Sequence, residues 1–177
     1  MADHVTNIVI AGLGGQGVIK ASDILCEAAF RAGYDVKKSE VHGMSQRGGS
    51  VTSDVRYGGE VFSPMVPPNE SDYLVVLEPS QVAVNQDRLR PGGTLLSTGQ
   101  LHDEEAIEEL QESRTLNVAM LGALSAHLGI GDADWIGAIQ ANLPERVHAA
   151  NIEAFKQGRA AELSRKAAAE TGGRPED

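Results

Sequence analysis

The chain has 177 residues and a single cysteine, Cys26. An internal disulfide is excluded. So is an iron–sulfur cluster held by this chain alone, because such clusters take several thiolates. A reducing cytoplasm is the simplest compartment for this sequence. Aromatic residues are scarce (one Trp, three Tyr, three Phe), so no sticky surface patch can be pointed to. Apolar runs are far too short to cross a bilayer. Met1-Ala2-Asp3-His4 has neither the basic start nor the apolar stretch of a signal peptide. The expectation is a cytoplasmic protein that does not meet a membrane. Positive charge is also short. Fifteen Lys and Arg stand against 25 Asp and Glu, a net charge of −10, which disfavours nucleic acid as a partner. No Cys or His cluster has the spacing of metal ligands. His102, His127 and His148 are scattered, and His127 reads as a satisfied packing residue.

What is present starts with Gly12-Leu13-Gly14-Gly15-Gln16-Gly17. It follows an apolar run over residues 5–11 that reads as a buried strand. It opens a helical pattern over residues 16–32, with Gly33 as a stop and Glu27 and Arg31 paired four apart. A glycine-rich turn between strand and helix lets backbone approach a ligand and points helix N-terminal N–H groups at an anion. Alone the pattern is a weak signal, since glycines also serve tight turns and close packing. A second strand is read over residues 34–41. Glu40 near its end could grip a ribose, as in dinucleotide sites, or could anchor the loop that follows.

That loop, His42-Gly43-Met44-Ser45-Gln46-Arg47-Gly48-Gly49, gathers an imidazole, a hydroxyl, an amide and a guanidinium among glycines. Arg47 could clamp a phosphate or carboxylate through two parallel hydrogen bonds, or bond to a partner's backbone. Residues 50–57 alternate as a strand. Gly58-Gly59 suggests a hairpin turn into a further strand at residues 60–62. A short apolar strand is expected at residues 73–77, with Glu78-Pro79 ending it. Glu78 lies where open sheets bind ligands, and its milder reading is a hydrogen bond to the neighbouring loop. A helical stretch to about Leu89, a turn over residues 90–93 and a strand over residues 94–97 follow. The acidic run Asp103-Glu104-Glu105, Glu108-Glu109 and Glu112 reads as a solvated helix face. Next come a strand near residues 115–118, a small-residue buried helix over residues 119–128, a helix near Trp135, and a last helix from Leu143-Pro144. The stretch from Arg159 could extend that last helix, and residues 171–177 are expected to be disordered. Cys26 reads as buried and inert.

The whole reads as α/β: an open, mostly parallel Rossmann-like sheet flanked by helices, with an inserted antiparallel β-hairpin. The expected division is a main domain over residues 1–158, then a helical extension and tail over residues 159–177.

The two glycine-rich motifs together resemble the γ-type component of the 2-oxoacid:acceptor (ferredoxin) oxidoreductases. The Val-His-Gly-Met-Ser-Gln-Arg-Gly-Gly spelling looks most like the indolepyruvate branch. Phe62-Ser63-Pro64, Leu77-Glu78-Pro79, Arg90-Pro91-Gly92-Gly93, Asn151, Phe155 and Gly158 are also similar to that family. The resemblance implies a subunit of an enzyme that oxidatively decarboxylates a 2-oxoacid to an acyl-coenzyme A and passes the electrons to ferredoxin. It places thiamine diphosphate and the iron–sulfur clusters in a large catalytic partner, which agrees with the single cysteine. It makes Gly12, Gly14, Gly15, Gln16, Gly17, His42, Ser45, Gln46, Arg47, Gly48 and Gly49 candidates for contact with coenzyme A or that partner. It assigns no catalytic residue and leaves homodimerisation of the isolated chain open. Two other readings stay open at this point, a stand-alone NAD(P)-binding oxidoreductase and a scaffolding module without a ligand.

Overall fold

The apolar run becomes β1 (Thr6–Leu13), whose residues from Asn7 to Gly12 are all buried. Burial on both faces requires an inner place in a sheet covered on both sides. In the computed structural model, which describes residues 4–43, 48–101 and 103–171, β1 is the middle of five strands ordered β2-β3-β1-β4-β5. The others are β2 (Asp35–His42), β3 (Ser50–Gly58), β4 (Ser71–Val76) and β5 (Leu89–Ser97). β4 runs parallel to β1, and β5 parallel to β4. β3 is antiparallel to both β1 and β2. Four strands therefore share one direction and β3 alone is reversed.

α1 (Val18–Arg31) connects β1 to β2 and buries Val18, Ala21, Ile24, Leu25, Ala28 and Ala29. It stops as expected at Gly33, φ 90°, where Gly33 N–H donates to Phe30 and Tyr34 N–H to Ala29. That pair of bonds satisfies carbonyls the helix end would leave open. Arg31 Nε donates to Glu27 Oε1 at 2.8 Å. The crossover does not place β2 beside β1, because β3 returns between them.

An antiparallel hairpin is thus present, but its arms are β2 and β3. The expected second arm at residues 60–62 is not a strand. The reason is geometric: both edges of β3 are already paired, so no hydrogen-bonding edge remains for it. Residues 59–70 instead cross the second face of the sheet as a strap. Asp54 on β3 holds this strap, accepting from Val66 N–H at 2.9 Å and from Arg88 Nη2 at 2.7 and 2.9 Å.

α2 (Val82–Asn85) sits between two short 3-10 turns, in the helical stretch expected before β5. The turn at residues 90–93 is a bulge within β5. Leu89 pairs with Ser71, but Thr94 is the next to pair, with Tyr73. α3 (Thr98–Leu101) precedes α4 (Glu104–Glu112), the acidic helix, whose N-terminus is capped by Asp103 Oδ1 accepting from Ala106 N–H at 2.9 Å.

The strand expected near residues 115–118 is instead the start of α5 (Leu116–Ser125). Thr115 C=O accepts from Val118 and Ala119 N–H at 3.0 and 2.9 Å, the first turn of a helix. A short run of apolar residues has no periodicity to separate strand from buried helix. Here burial of all ten α5 residues shows a helix enclosed on every side. α6 (Asp132–Asn142) and α7 (His148–Thr171) follow, and α7 runs unbroken to the last described residue. The disorder expected beyond Thr171 falls outside the described residues.

The larger core joins Ile8, Ile10, Val55 and Leu96 of the sheet to α1, α5 and α6, with Trp135 fully buried. The smaller core lies on the other face, where Val9, Ala11, Leu74 and Val76 meet Val66 of the strap. No described helix is long and apolar enough to cross a membrane.

Candidate functional site

The glycine-rich turn leaves β1 at its carboxyl end, the side where open α/β sheets hold ligands. Gln16 staples it. Its Oε1 accepts from Leu13 N–H at 2.8 Å and its Nε2 donates to Glu78 Oε2 at 3.0 Å. Glu78 follows β4, the parallel neighbour of β1, so the milder reading of Glu78 is the one that holds.

The glycines of the turn do different things. Gly17 is left-handed (φ 82°), and a methyl group there would strike the Asn117 side chain, 3.0 Å from its Cγ. Asn117 Nδ2 also donates to Gly17 C=O at 3.1 Å. Gly12 faces Val18 and the Gln16 amide. Gly14 donates its N–H to Gly49 C=O at 2.8 Å and lies against Gly48 backbone. Gly15, φ 94°, faces open space. Of these four, Gly15 alone has open space where a side chain would stand; Gly14 is exposed but bonded to Gly49, and Gly12 and Gly17 press on side chains of the chain itself. Gly15→Ala is expected to cost about 1–2 kcal/mol for its left-handed backbone alone. Gly17→Ala should cost more, because Asn117 must also move. Urea midpoints of the two variants check this, and equal losses would remove the Asn117 contact from the account.

The Gly14–Gly49 bond also brings the two sequence motifs together. Gly48 and Gly49 end the 43–49 loop against the turn. Ser45, Gln46 and Arg47 lie outside the described residues. His42, at the end of β2, is 61% exposed and its Nε2 lies 3.6 Å from Glu40 Oε2. No described nucleophile or second base stands beside it. Glu40 itself is committed to Lys38, Oε1 to Nζ at 2.5 Å, and that hydrogen bond holds its carboxyl below the usual range. Burial works against the Lys38 charge. The hydrogen bonds that Lys38 donates to Asp23 and Glu40 outweigh it and raise Lys38 above an ordinary lysine. With β3 between β2 and β1, Glu40 stands two strands from the turn, which removes the ribose role offered to it. Cys26, half-buried in α1, has its thiol pushed up to about 12 by burial, as expected for an inert thiol.

A cavity of about 720 Å³ opens beside Gly15, Gln16 and Gly17. That lies within the range of pockets that hold a cofactor-sized ligand. Glu78 lines it from the end of β4, and Asn117 from the start of α5. Gln111 and Arg114 line it from the end of α4. Arg114 is held left-handed (φ 57°) where α4 stops, with its N–H donated to Gln111 C=O and that of Thr115 to Leu110 C=O. Among the described residues that line it are one cation, Arg114, and one carboxylate, Glu78. Glu78 is tied to Gln16, so an anion would sit on the Arg114 side. Arg114 and Asn117 escape sequence reasoning, because residues 115–118 read as a strand and Arg114 falls between that segment and the acidic run ending at Glu112, with no pattern of its own. Among the described residues, no group of three or more His, Cys, Asp or Glu could hold a metal ion.

Residues 7–161 match the family described as pyruvate ferredoxin/flavodoxin oxidoreductase. The chain is 32% identical over 187 residues to indolepyruvate oxidoreductase subunit IorB of Methanothermobacter thermautotrophicus, covering 86% of this chain and 95% of that one. Pyruvate oxidoreductase subunit PORC of Thermotoga maritima superposes with a TM-score of 0.69 at 26% identity, over 88% of this chain and 96% of that one. The 2-oxoglutarate:ferredoxin oxidoreductase of Magnetococcus marinus, solved with 2-oxoglutarate, coenzyme A and succinyl-CoA bound, has a TM-score of 0.78 at 23% identity. The match covers 92% of this chain and 32% of that longer one, and at this identity it speaks for the fold. The family match, the close relative spanning both chains and the shared sheet lead to one conclusion: the chain belongs to the pyruvate ferredoxin/flavodoxin oxidoreductase family, as a small γ-type subunit of a 2-oxoacid:ferredoxin oxidoreductase.

Proposed function

We propose that this subunit serves an indolepyruvate-type enzyme and lends the coenzyme A side of its active site, at the cavity beside Gly15. The division of labour follows from chemistry. Thiamine diphosphate in a large partner subunit would supply the carbanion sink, and iron–sulfur clusters there would carry electrons to ferredoxin. This chain has one inert thiol and no described metal cluster, so its task is binding and orientation. The specificity for indolepyruvate is supported by the spelling of the 41–49 segment and by the indolepyruvate subunit among its relatives.

The observation that carries the coenzyme A reading is the shared cavity wall. An open, left-handed Gly15, the N-terminal end of α1 and the Arg114 guanidinium all face one cavity. Coenzyme A brings a diphosphate and a 3′-phosphate. N–H groups at a helix N-terminus and an arginine are the groups that pair with phosphate oxygens. Arg47, next in sequence to Gly48, is the second arginine of the proposal.

The test is steady-state kinetics of the complex reconstituted with its catalytic partner. Arg114→Ala is expected to raise KM for coenzyme A about tenfold or more, the scale of one charge-assisted hydrogen bond. Arg47→Ala should lower acyl-coenzyme A formation, and both variants should fold. Unchanged coenzyme A saturation in both would move that substrate off this chain. Turnover of a substrate with NADH by the chain alone would replace the reading with a nicotinamide enzyme.

A further inference from the structure

We propose that α4 is a hinged gate over the coenzyme A cavity, moving between a seat on α7 and a seat above the glycine-rich turn. The proposal rests on the coenzyme A reading of that cavity and adds how access to it is controlled. Three observations carry it. First, α4 is weakly held: of its nine residues, Leu110 alone is buried. A helix with so little apolar anchorage belongs to the low-stability end of a fold. Second, α4 has empty space on both flanks. The 720 Å³ cavity lies on one side, and a second cavity of about 270 Å³ separates α4 from α7 on the other, with Leu110 lining both. Ala106 and Glu109 of α4 face Ala154 and Gln157 of α7 across that second space. This groove is open to solvent and not filled by side chains, so α4 has room to travel toward α7. Third, the element joining α4 to the fixed α5 is Arg114, left-handed although it is not a glycine. A non-glycine residue in that region carries a backbone cost. That cost offsets some of what is lost when the angle changes and the two cap hydrogen bonds break, Arg114 N–H to Gln111 C=O and Thr115 N–H to Leu110 C=O.

The consequence is that Arg114 moves with α4. Seated on α7, the helix draws the guanidinium back and widens the cavity. Seated over the turn, it brings the positive charge onto the ligand and narrows the entrance. Leu110 is the pivot residue, because it touches both spaces. An anionic ligand binds the closed seat better, since there Arg114 comes nearest to it, and this differential affinity is what would shift the helix.

The test locks the gate. In a Cys26→Ser background, Glu109→Cys and Gln157→Cys are joined by a short, reducible bifunctional thiol reagent, and the protein is assembled with its catalytic partner. The cross-linked complex is expected to show a KM for coenzyme A raised about tenfold or more, because the competent state is depleted. Reduction of the linker should restore it. Hydrogen exchange of α4 should be fast without ligand, slow with coenzyme A, and faster than in α5 throughout. If the locked complex keeps a normal coenzyme A KM, or α4 exchanges as slowly as α5, the gate is wrong. If exchange is fast but coenzyme A changes neither α4 exchange nor the kinetics of Arg114→Ala, the coenzyme A assignment fails and the gate over it with it.

Discussion

Gly158→Ala is expected to lower stability by on the order of 4 kcal/mol, a change large enough to need a named mechanism. α5 and α7 cross so closely that backbone meets backbone. A methyl group on Gly158 would lie against the Ala119 carbonyl, 2.6 Å from its carbon and within contact of its oxygen. Gly122 has the reciprocal problem with Phe155, 2.8 Å from the carbonyl carbon. Helix propensity alone would favour alanine by about 1 kcal/mol. The clash decides the sign, because the obstacle is the backbone of a fully buried helix rather than the end of a flexible side chain. α5 also packs against α1, so separating α5 from α7 would disturb the helix that carries the glycine-rich turn. For a domain of this size the expected fall in melting temperature is about 10 °C. Gly129→Ala, where a methyl group would meet open space, is the control and should stay within about 0.5 kcal/mol. A stabilised Gly158→Ala would show that the helices can part without loss.

Glu162→Ala should cost about 3 kcal/mol. Glu162 is fully buried on α7. Its Oε1 lies 2.6 Å from His127 Nε2, and Arg165 grips it with two hydrogen bonds of 2.7 Å. Removing the carboxylate strands His127, which is packed against the Tyr73 ring. The loss stays at the low end for a buried pair because Arg165 is 42% exposed and can return to water. The pH dependence follows from the direction of the shift. Burial pushes the Glu162 carboxyl up, but the hydrogen bonds from Arg165 and His127 outweigh it and hold it below the usual range. A lowered folded value means the unfolded chain takes up the proton first on acidification. The stabilisation is therefore complete above the unfolded value, about 4.3, and is lost as pH falls through the lower folded one. Urea midpoints of wild type and Glu162→Gln should differ at pH 7 and converge toward pH 3. A gap that stays constant across that range would show that packing, and not charge, holds the site.

These two positions also mark how far the sequence could be read. Gly158 and Asn151 are marked in the sequence by family resemblance alone; the structure gives Gly158 a physical meaning at the α5–α7 contact, whereas Asn151 donates to Val147 C=O at 2.9 Å. Glu162 lies in an Ala-, Glu- and Lys-rich stretch that reads only as an extension of the last helix. Nothing in that composition distinguishes the one carboxylate that meets His127 from its exposed neighbours. The glycine-rich turn was legible because strand, turn and helix are local and each has its own pattern. Which glycines are committed to contacts within the chain was not legible, since Gly17 owes its place to Asn117, a hundred residues away in sequence.

The sequence by itself determined the strand–glycine turn–helix unit with its stop at Gly33, the single thiol, and the family. All of these rest on short-range chemistry: side-chain period, backbone freedom at glycine, and the count of thiolates. The tertiary structure alone decided that β3 lies between β1 and β2, and so that Glu40 is remote from the turn and residues 60–62 have no edge to join. It also placed Arg114 on the cavity and Glu162 in the interior. Those outcomes depend on which surfaces meet, and such meetings are set by the packing of the whole chain rather than by any segment of it.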